Sequence, residues 1–254
     1  MINKRNLLII TTLTISEMKG RYRNTWAGFL WVIINPIIMF SVHALVFKHI
    51  MKISIDRYYV FLLGGLLPWI FVSSTLTMTS HTLITYREVL LSFQISPMAI
   101  MCSKVIDNFV NFLAPFIMLF GFLCFHESFD LIGLLTVPLS MILLLISTYA
   151  LSIFFSILQV YLRDVQYILN FGLSILYFLT PIFYPRSMVP DNISWIVDIN
   201  PVYAIVRPMQ IALYSFNAAE LTEALWNSFG VTVLLVILAT LLWRSKRNEI
   251  YLYI

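Results

Sequence analysis

Six residues between 167 and 184, namely Tyr167, Asn170, Ser174, Tyr177, Pro181 and Tyr184, recur at steps of three and four, which places them along one side of a helix. The positions between them are mainly Ile, Leu, Phe and Gly. Rings and hydroxyls on such a stripe have two uses. They pack on polar side chains of a neighbouring helix, or they line a path for something that itself carries hydroxyls. A sugar presents a flat C–H face to an aromatic ring and hydroxyls at its edge, and many weak contacts of this kind are what conduction requires. Tyr177 is the best path candidate because it lies mid-run. Ser73, Thr77 and Ser80, with Thr75 and Thr79, repeat the theme upstream, although such hydroxyls can also bond the carbonyls of their own preceding turn. Asn24, Gly28, Trp31 and Asn35 have similar spacing. The candidate path residues are Trp31, Asn35, Ser73, Thr77, Tyr167, Asn170, Ser174, Tyr177 and Tyr184.

Other chemistries lack their residues. There is no G-x-x-x-x-G-K-[ST], H-E-x-x-H, C-x-x-C or G-x-S-x-G anywhere in the chain, so neither nucleotide binding through a P-loop nor hydrolase or zinc-protease catalysis is indicated. His43, His49, His81 and His126 fall in different segments, and no metal site is expected. Cys102 and Cys124 lie 22 positions apart, about 33 Å along one helix, too far for a disulfide. Asp107 is the one acid inside an apolar stretch, one turn from Lys104. An ion pair between them is the simple reading, and an ion-driven carrier would need more such groups.

The elements that must position these residues are membrane spans. Of 254 residues 60% are hydrophobic and 11% charged, against roughly 45–50% and 25% in soluble domains. That excludes an ordinary soluble enzyme, a disordered chain and a nucleic-acid binder of the basic-patch kind. Uncharged runs place six spans: 27–47, 59–80, a third entering near Met98 and uncharged over 108–125, a fourth within 131–161, then 165–184 and 228–243. With the N-terminus cytoplasmic, Lys4, Arg5, Lys19, Arg21, Arg23, Arg87, Lys104, Arg163, Arg244, Lys246 and Arg247 are inside, and Lys48, Lys52, Arg57, Arg186 and Arg207 outside. The positive-inside rule therefore puts both termini in the cytoplasm. Residues 1–24 read as an amphipathic interfacial helix rather than a cleaved signal, because Glu17, Lys19, Arg21 and Arg23 follow the first apolar run and no small-x-small site does. Residues 81–96 read as a short cytoplasmic amphipathic helix ended by Pro97. The outer segment 185–227 carries four prolines yet stays apolar over 199–216, as helices dipping back into the outer leaflet would.

The segment Arg21-Tyr22-Arg23-Asn24-Thr25-Trp26-Ala27-Gly28-Phe29-Leu30-Trp31 with Asn35-Pro36 resembles the start of polysaccharide-exporting ABC-2 type ABC transporter permeases, which serve O-antigen or teichoic-acid export. Ala27 stands where that family usually has Leu. Two further blocks agree in order and position: Arg163-Asp164 with Thr180-Pro181-Ile182-Phe183-Tyr184-Pro185, and Asn200-Pro201 with Arg207. The resemblance covers nearly the whole chain, with 25–254 as the ABC-2 type transmembrane domain.

The resemblance implies an all-α integral membrane fold with six transmembrane helices per protomer, an N-terminal interfacial helix, a cytoplasmic coupling helix and outer re-entrant helices. It implies a homodimer in the inner membrane, with a pair of ATP-binding-cassette ATPase subunits on its cytoplasmic face. The chain itself would hold no cofactor; ATP and Mg belong to the partner. Tyr86, Arg87, Glu88 and Leu90 would couple to the ATPase. Arg21 and Arg23 would draw the diphosphate of an undecaprenyl-diphosphate-linked glycan to the entrance. Arg163 and Asp164 would brace the turn between the fourth and fifth spans, and Pro181, Asn200 and Pro201 would be structural. Capsule, teichoic acid, lipid or drug export are the nearer alternatives. A polyprenyl-phosphate transferase is the remoter one, since Glu88, Asp107 and Asp164 are too scattered to gather Mg²⁺.

Overall fold

The computed structural model describes residues 4–21, 28, 30–93 and 95–253, excepting the side chains of residues 4–6 and 21. Among the described residues every regular element is helical. The chain opens with α1 (Lys4–Arg21) and α2 (Leu30–Ala44), the latter running on as a π-helical turn, Leu45–Ile50. After α3 (Tyr58–Ser80) come the short α4 (Thr82–Thr85) and α5 (Arg87–Ser92), and then the long α6 (Pro97–Cys124) and α7 (Leu131–Tyr161). The chain continues through α8 (Val165–Leu179), α9 (Ser194–Ile199), α10 (Pro201–Tyr214), α11 (Ala218–Lys246) and α12 (Ile250–Tyr253).

Among the described residues five stretches are long and apolar enough to cross a bilayer: Leu30–Ile50, Tyr58–Thr85, Pro97–Cys124, Leu131–Tyr161 and Ala218–Lys246. The stretch expected as a span over 165–184 is helical only to Leu179. Its 15 residues reach about 22 Å, short of the roughly 30 Å hydrocarbon core. Pro181 explains the stop, because it pushes the preceding residue out of helical geometry, and Thr180 is extended at φ −93°, ψ 127°. The last span instead starts ten residues before the apolar run does. Asn217 caps it by accepting from Ala219 N at 3.0 Å and Glu220 N at 3.4 Å. Hydropathy marks the apolar portion of that helix and misses its polar first turns.

The segment expected as one amphipathic helix is two. The chain breaks at Tyr86 (φ −92°, ψ 17°) and turns extended at Phe93. Pro97 does not end α5; it opens α6, where a missing N–H costs nothing.

At the centre stands α3, the most enclosed of the five spans. It packs on α6, α7 and α10, while α7 also takes α10 and α11. Glycine allows two close approaches. A Cβ on Gly64 of α3 would lie 2.9 Å from the Gln210 Cα of α10, and one on Gly133 of α7 would lie 2.4 Å from the Ala212 carbonyl oxygen. α10 is buried along nearly its whole length. Asn200 caps it by accepting from Val202 N at 2.9 Å and Tyr203 N at 3.3 Å, and Pro201 takes the first helical position. In contrast, α2 and α11 lie on the flanks, with most of their surface outside the bundle. α1 lies against α6.

Candidate functional site

Three helices converge on one cleft. α3 contributes Ser73 and Thr77, one turn apart, and α8 contributes Asn170, Ser174 and Tyr177. α2 closes the third side with Met39. The cleft holds about 780 Å³, and no charged side chain lines it among the described residues. Thr77 Oγ1 donates to Asn170 Oδ1 at 3.3 Å, a bond that ties α3 to α8 across the cleft. Ser73 and Ser174 donate back to their own helices, to Ile70 O at 3.3 Å and Asn170 O at 2.9 Å. Each hydroxyl oxygen keeps acceptor capacity, so the wall offers polar oxygens without a charge.

Tyr177 is anchored at one end of this cleft by a group of rings. Its hydroxyl is hydrogen-bonded to His43 Nε2. His43 Nδ1 lies 2.6 Å from the Met39 carbonyl, which can only accept. In the neutral ring Nδ1 therefore carries the proton, and Nε2 accepts from the Tyr177 hydroxyl. Phe183 stacks on His43 at 4.8 Å and meets Tyr177 edge-on at 4.9 Å, and Trp69 lies 5.7 Å from Tyr177. The sequence reading misses His43, Trp69 and Phe183. One signal was available: Trp31, Asn35, Met39 and His43 recur every fourth residue, which is one face of α2.

The other candidates separate. Trp31 and Asn35 line a second, smaller cavity between α2, α3 and α6, together with Asn108 and Asn111. Tyr184 falls beyond the end of α8 and donates its hydroxyl to Phe178 O at 2.8 Å, pinning the turn after Pro181. Tyr167 is exposed at the opposite end of α8. Neither lines the cleft. Thr75, Thr79 and Ser80 are buried and bond their own preceding turns.

Pro181 and Asn200 join a polar knot between the end of α8 and α10. Asn200 Nδ2 donates to Thr180 Oγ1 at 2.8 Å, and Gln210 Nε2 donates to the Pro181 carbonyl at 3.2 Å. The turn between α7 and α8 is built differently from the expectation. Gln159 Nε2 donates to the Arg163 carbonyl at 2.9 Å, Asp164 makes no side-chain cap, and both charged side chains are exposed. An amide from the preceding helix braces that turn, because it reaches the turn backbone directly.

Around α5, Arg87 and Glu88 are exposed, whereas Leu90 is buried in a core cluster with Leu83 and Ile100. Leu91 and Phe93 are apolar groups left outside, as is Ile84 of α4. Tyr86 turns inward and donates its hydroxyl to Glu17 Oε1 of α1. Burial first, and then the Glu17 carboxylate, push the Tyr86 phenol above its ordinary range. Lys104, expected to pair with Asp107, pairs with Glu17 at 2.6 Å instead, and Asp107 is fully buried. Arg23 and the Arg21 side chain, expected at the entrance, lie outside the described residues.

A family model described as ABC-2 type transporter matches residues 9–214. The chain is 29% identical over 200 residues to an O-antigen export system permease protein RfbA of Klebsiella pneumoniae, which is 78% of this chain and 77% of that protein. To the protein of the same name from Myxococcus xanthus it is 28% identical over 249 residues, 96% of this chain and 94% of that one. To the polysialic acid transport protein KpsM of Escherichia coli it is 24% identical over 206 residues, 78% of each chain.

Proposed function

The chain belongs to the ABC-2 type transporter family, and from that premise we propose that it is the permease subunit of an exporter that moves a lipid-linked, O-antigen-like polysaccharide across the inner membrane. Two copies would form the conduit, with both termini cytoplasmic and a separate pair of ATPase subunits supplying the energy. The observation that carries this reading is the uncharged cleft of rings and hydroxyls between α2, α3 and α8. A neutral glycan slides past such groups, because each contact is weak and none is ionic. An acidic polymer, the kind named for the Escherichia coli relative, would find no cation to pair with among the described residues of this wall. Arg21 and Arg23 stand in the segment before α2, where each contributes roughly 1 kcal/mol toward an anionic headgroup.

The test replaces Tyr177 with Leu in a strain that depends on this chain for surface polysaccharide. Tyr177→Leu should lower surface glycan several-fold while membrane-inserted protein stays at the wild-type level. Wild-type surface glycan in that variant would assign the ring group to packing and remove the reading's support.

A further inference from the structure

We infer that the smaller cavity between α2, α3 and α6 is an alcove that takes one neutral, hydroxyl-bearing sugar ring. The inference rests on the reading of the cargo as a glycan, but it concerns a separate place. The alcove holds about 210 Å³, below the roughly 300–1,000 Å³ of sites for drug-sized ligands, so its occupant is small. Asn35, Asn108 and Asn111 bring carboxamides to its wall, Ser74 a hydroxyl and Trp31 an indole ring. A carboxamide both donates and accepts, which matches a sugar hydroxyl on either side of its hydrogen bond. Asn108 is held in place: its Nδ2 donates to Ser74 Oγ at 2.8 Å and Thr75 Oγ1 at 2.6 Å. Among the described residues no charged side chain lines the alcove, which favours a neutral occupant over a phosphate or carboxylate.

The backbone gives a second, independent reason. Pro36 sits inside α2 and lines the alcove together with Val32, four residues before it. Proline supplies no N–H, so the Val32 carbonyl loses its helical donor. At membrane depth a backbone carbonyl must find a donor elsewhere. A sugar hydroxyl meets this need, whereas an acyl chain has nothing to donate. The alcove shares Ile70 and Ser74 with the large cleft. A ring held there sits beside the main path, as a side branch or terminal residue of a passing glycan would.

The test is saturation-transfer difference NMR on the purified full-length permease in detergent, with methyl α-mannopyranoside and methyl α-galactopyranoside as probes. Wild type should saturate the sugar ring protons, and inorganic phosphate should not displace the probe. Asn35→Leu combined with Asn111→Leu should weaken binding about tenfold, as the loss of two hydrogen bonds implies. Trp31→Leu, at a half-exposed position, should weaken it without burdening the fold. Tyr177→Leu, which lines the cleft and not the alcove, should keep the part of the NMR signal that Trp31→Leu removes while its export falls, so failure of the cargo reading and failure of the alcove register in different assays. Absence of ring-proton saturation in wild type, an unchanged signal in Trp31→Leu, or displacement by phosphate would each overturn the alcove.

Discussion

Tyr177 shows how much a single side chain does here. It belongs to the polar stripe of α8, lines the cleft and closes a hydrogen bond to His43 of α2. Removing only its hydroxyl separates these roles. Tyr177→Phe should keep the ring contacts with Trp69 and Phe183 but lose about 1 kcal/mol for the hydrogen bond, read as a small drop in thermal midpoint in detergent. Export should fall less than in Tyr177→Leu. A thermal midpoint in Tyr177→Phe equal to that of wild type would mean the His43 contact adds nothing to stability. The residues of this site were partly legible in the sequence. Ser73 and Thr77, like Asn170, Ser174 and Tyr177, share a helix face at short spacing, and periodicity reads such faces directly. His43 lies 134 positions from Tyr177, and no local pattern links the two. Asn108 was hidden for the same reason, since its hydroxyl partners lie 33 and 34 positions earlier.

Among the elements, α5 makes the sharpest separation between packing and display. Leu90 faces the core while Leu91 and Phe93 face outward beside Arg87 and Glu88. Leu90→Ala should therefore cost about 2–5 kcal/mol of stability and reduce the yield of folded protein. Leu91→Ser with Phe93→Ser should preserve yield while the amount of copurifying ATPase subunit falls. Full ATPase stoichiometry in that double variant would show that this face is not where the partner docks. Glu17 of α1 holds both Tyr86, at the start of α5, and Lys104 of α6, so a displacement of α5 is passed to α1 and α6. Existence and type of the long helices were plain from apolar runs. Their ends were not. Pro181, the Asn217 cap and the break at Tyr86 act locally and leave hydropathy almost unchanged.

For the whole molecule, the uneven burial of the spans is the main fact. α3 is enclosed over most of its surface, whereas α2 and α11 expose broad apolar surfaces that lipid or a second copy must cover. A conduit for a polymer needs a closed wall, and the cleft against α2 and α8 is open in one protomer. Light scattering of the detergent-solubilised complex, corrected for bound detergent, should give two permease copies per particle. A single copy in particles that still transport after reconstitution would refute the two-copy conduit.

The burial of α10 also bears on how the protein is made. At 14 residues this helix is too short to be threaded through a bilayer unaided, and its surface is almost wholly claimed by α3, α7 and α11. When it leaves the ribosome, α3 and α7 have already been delivered but α11 has not. Its burial is therefore completed only when α11 is in place, so a chain cut short before α11 should leave one side of α10 uncovered.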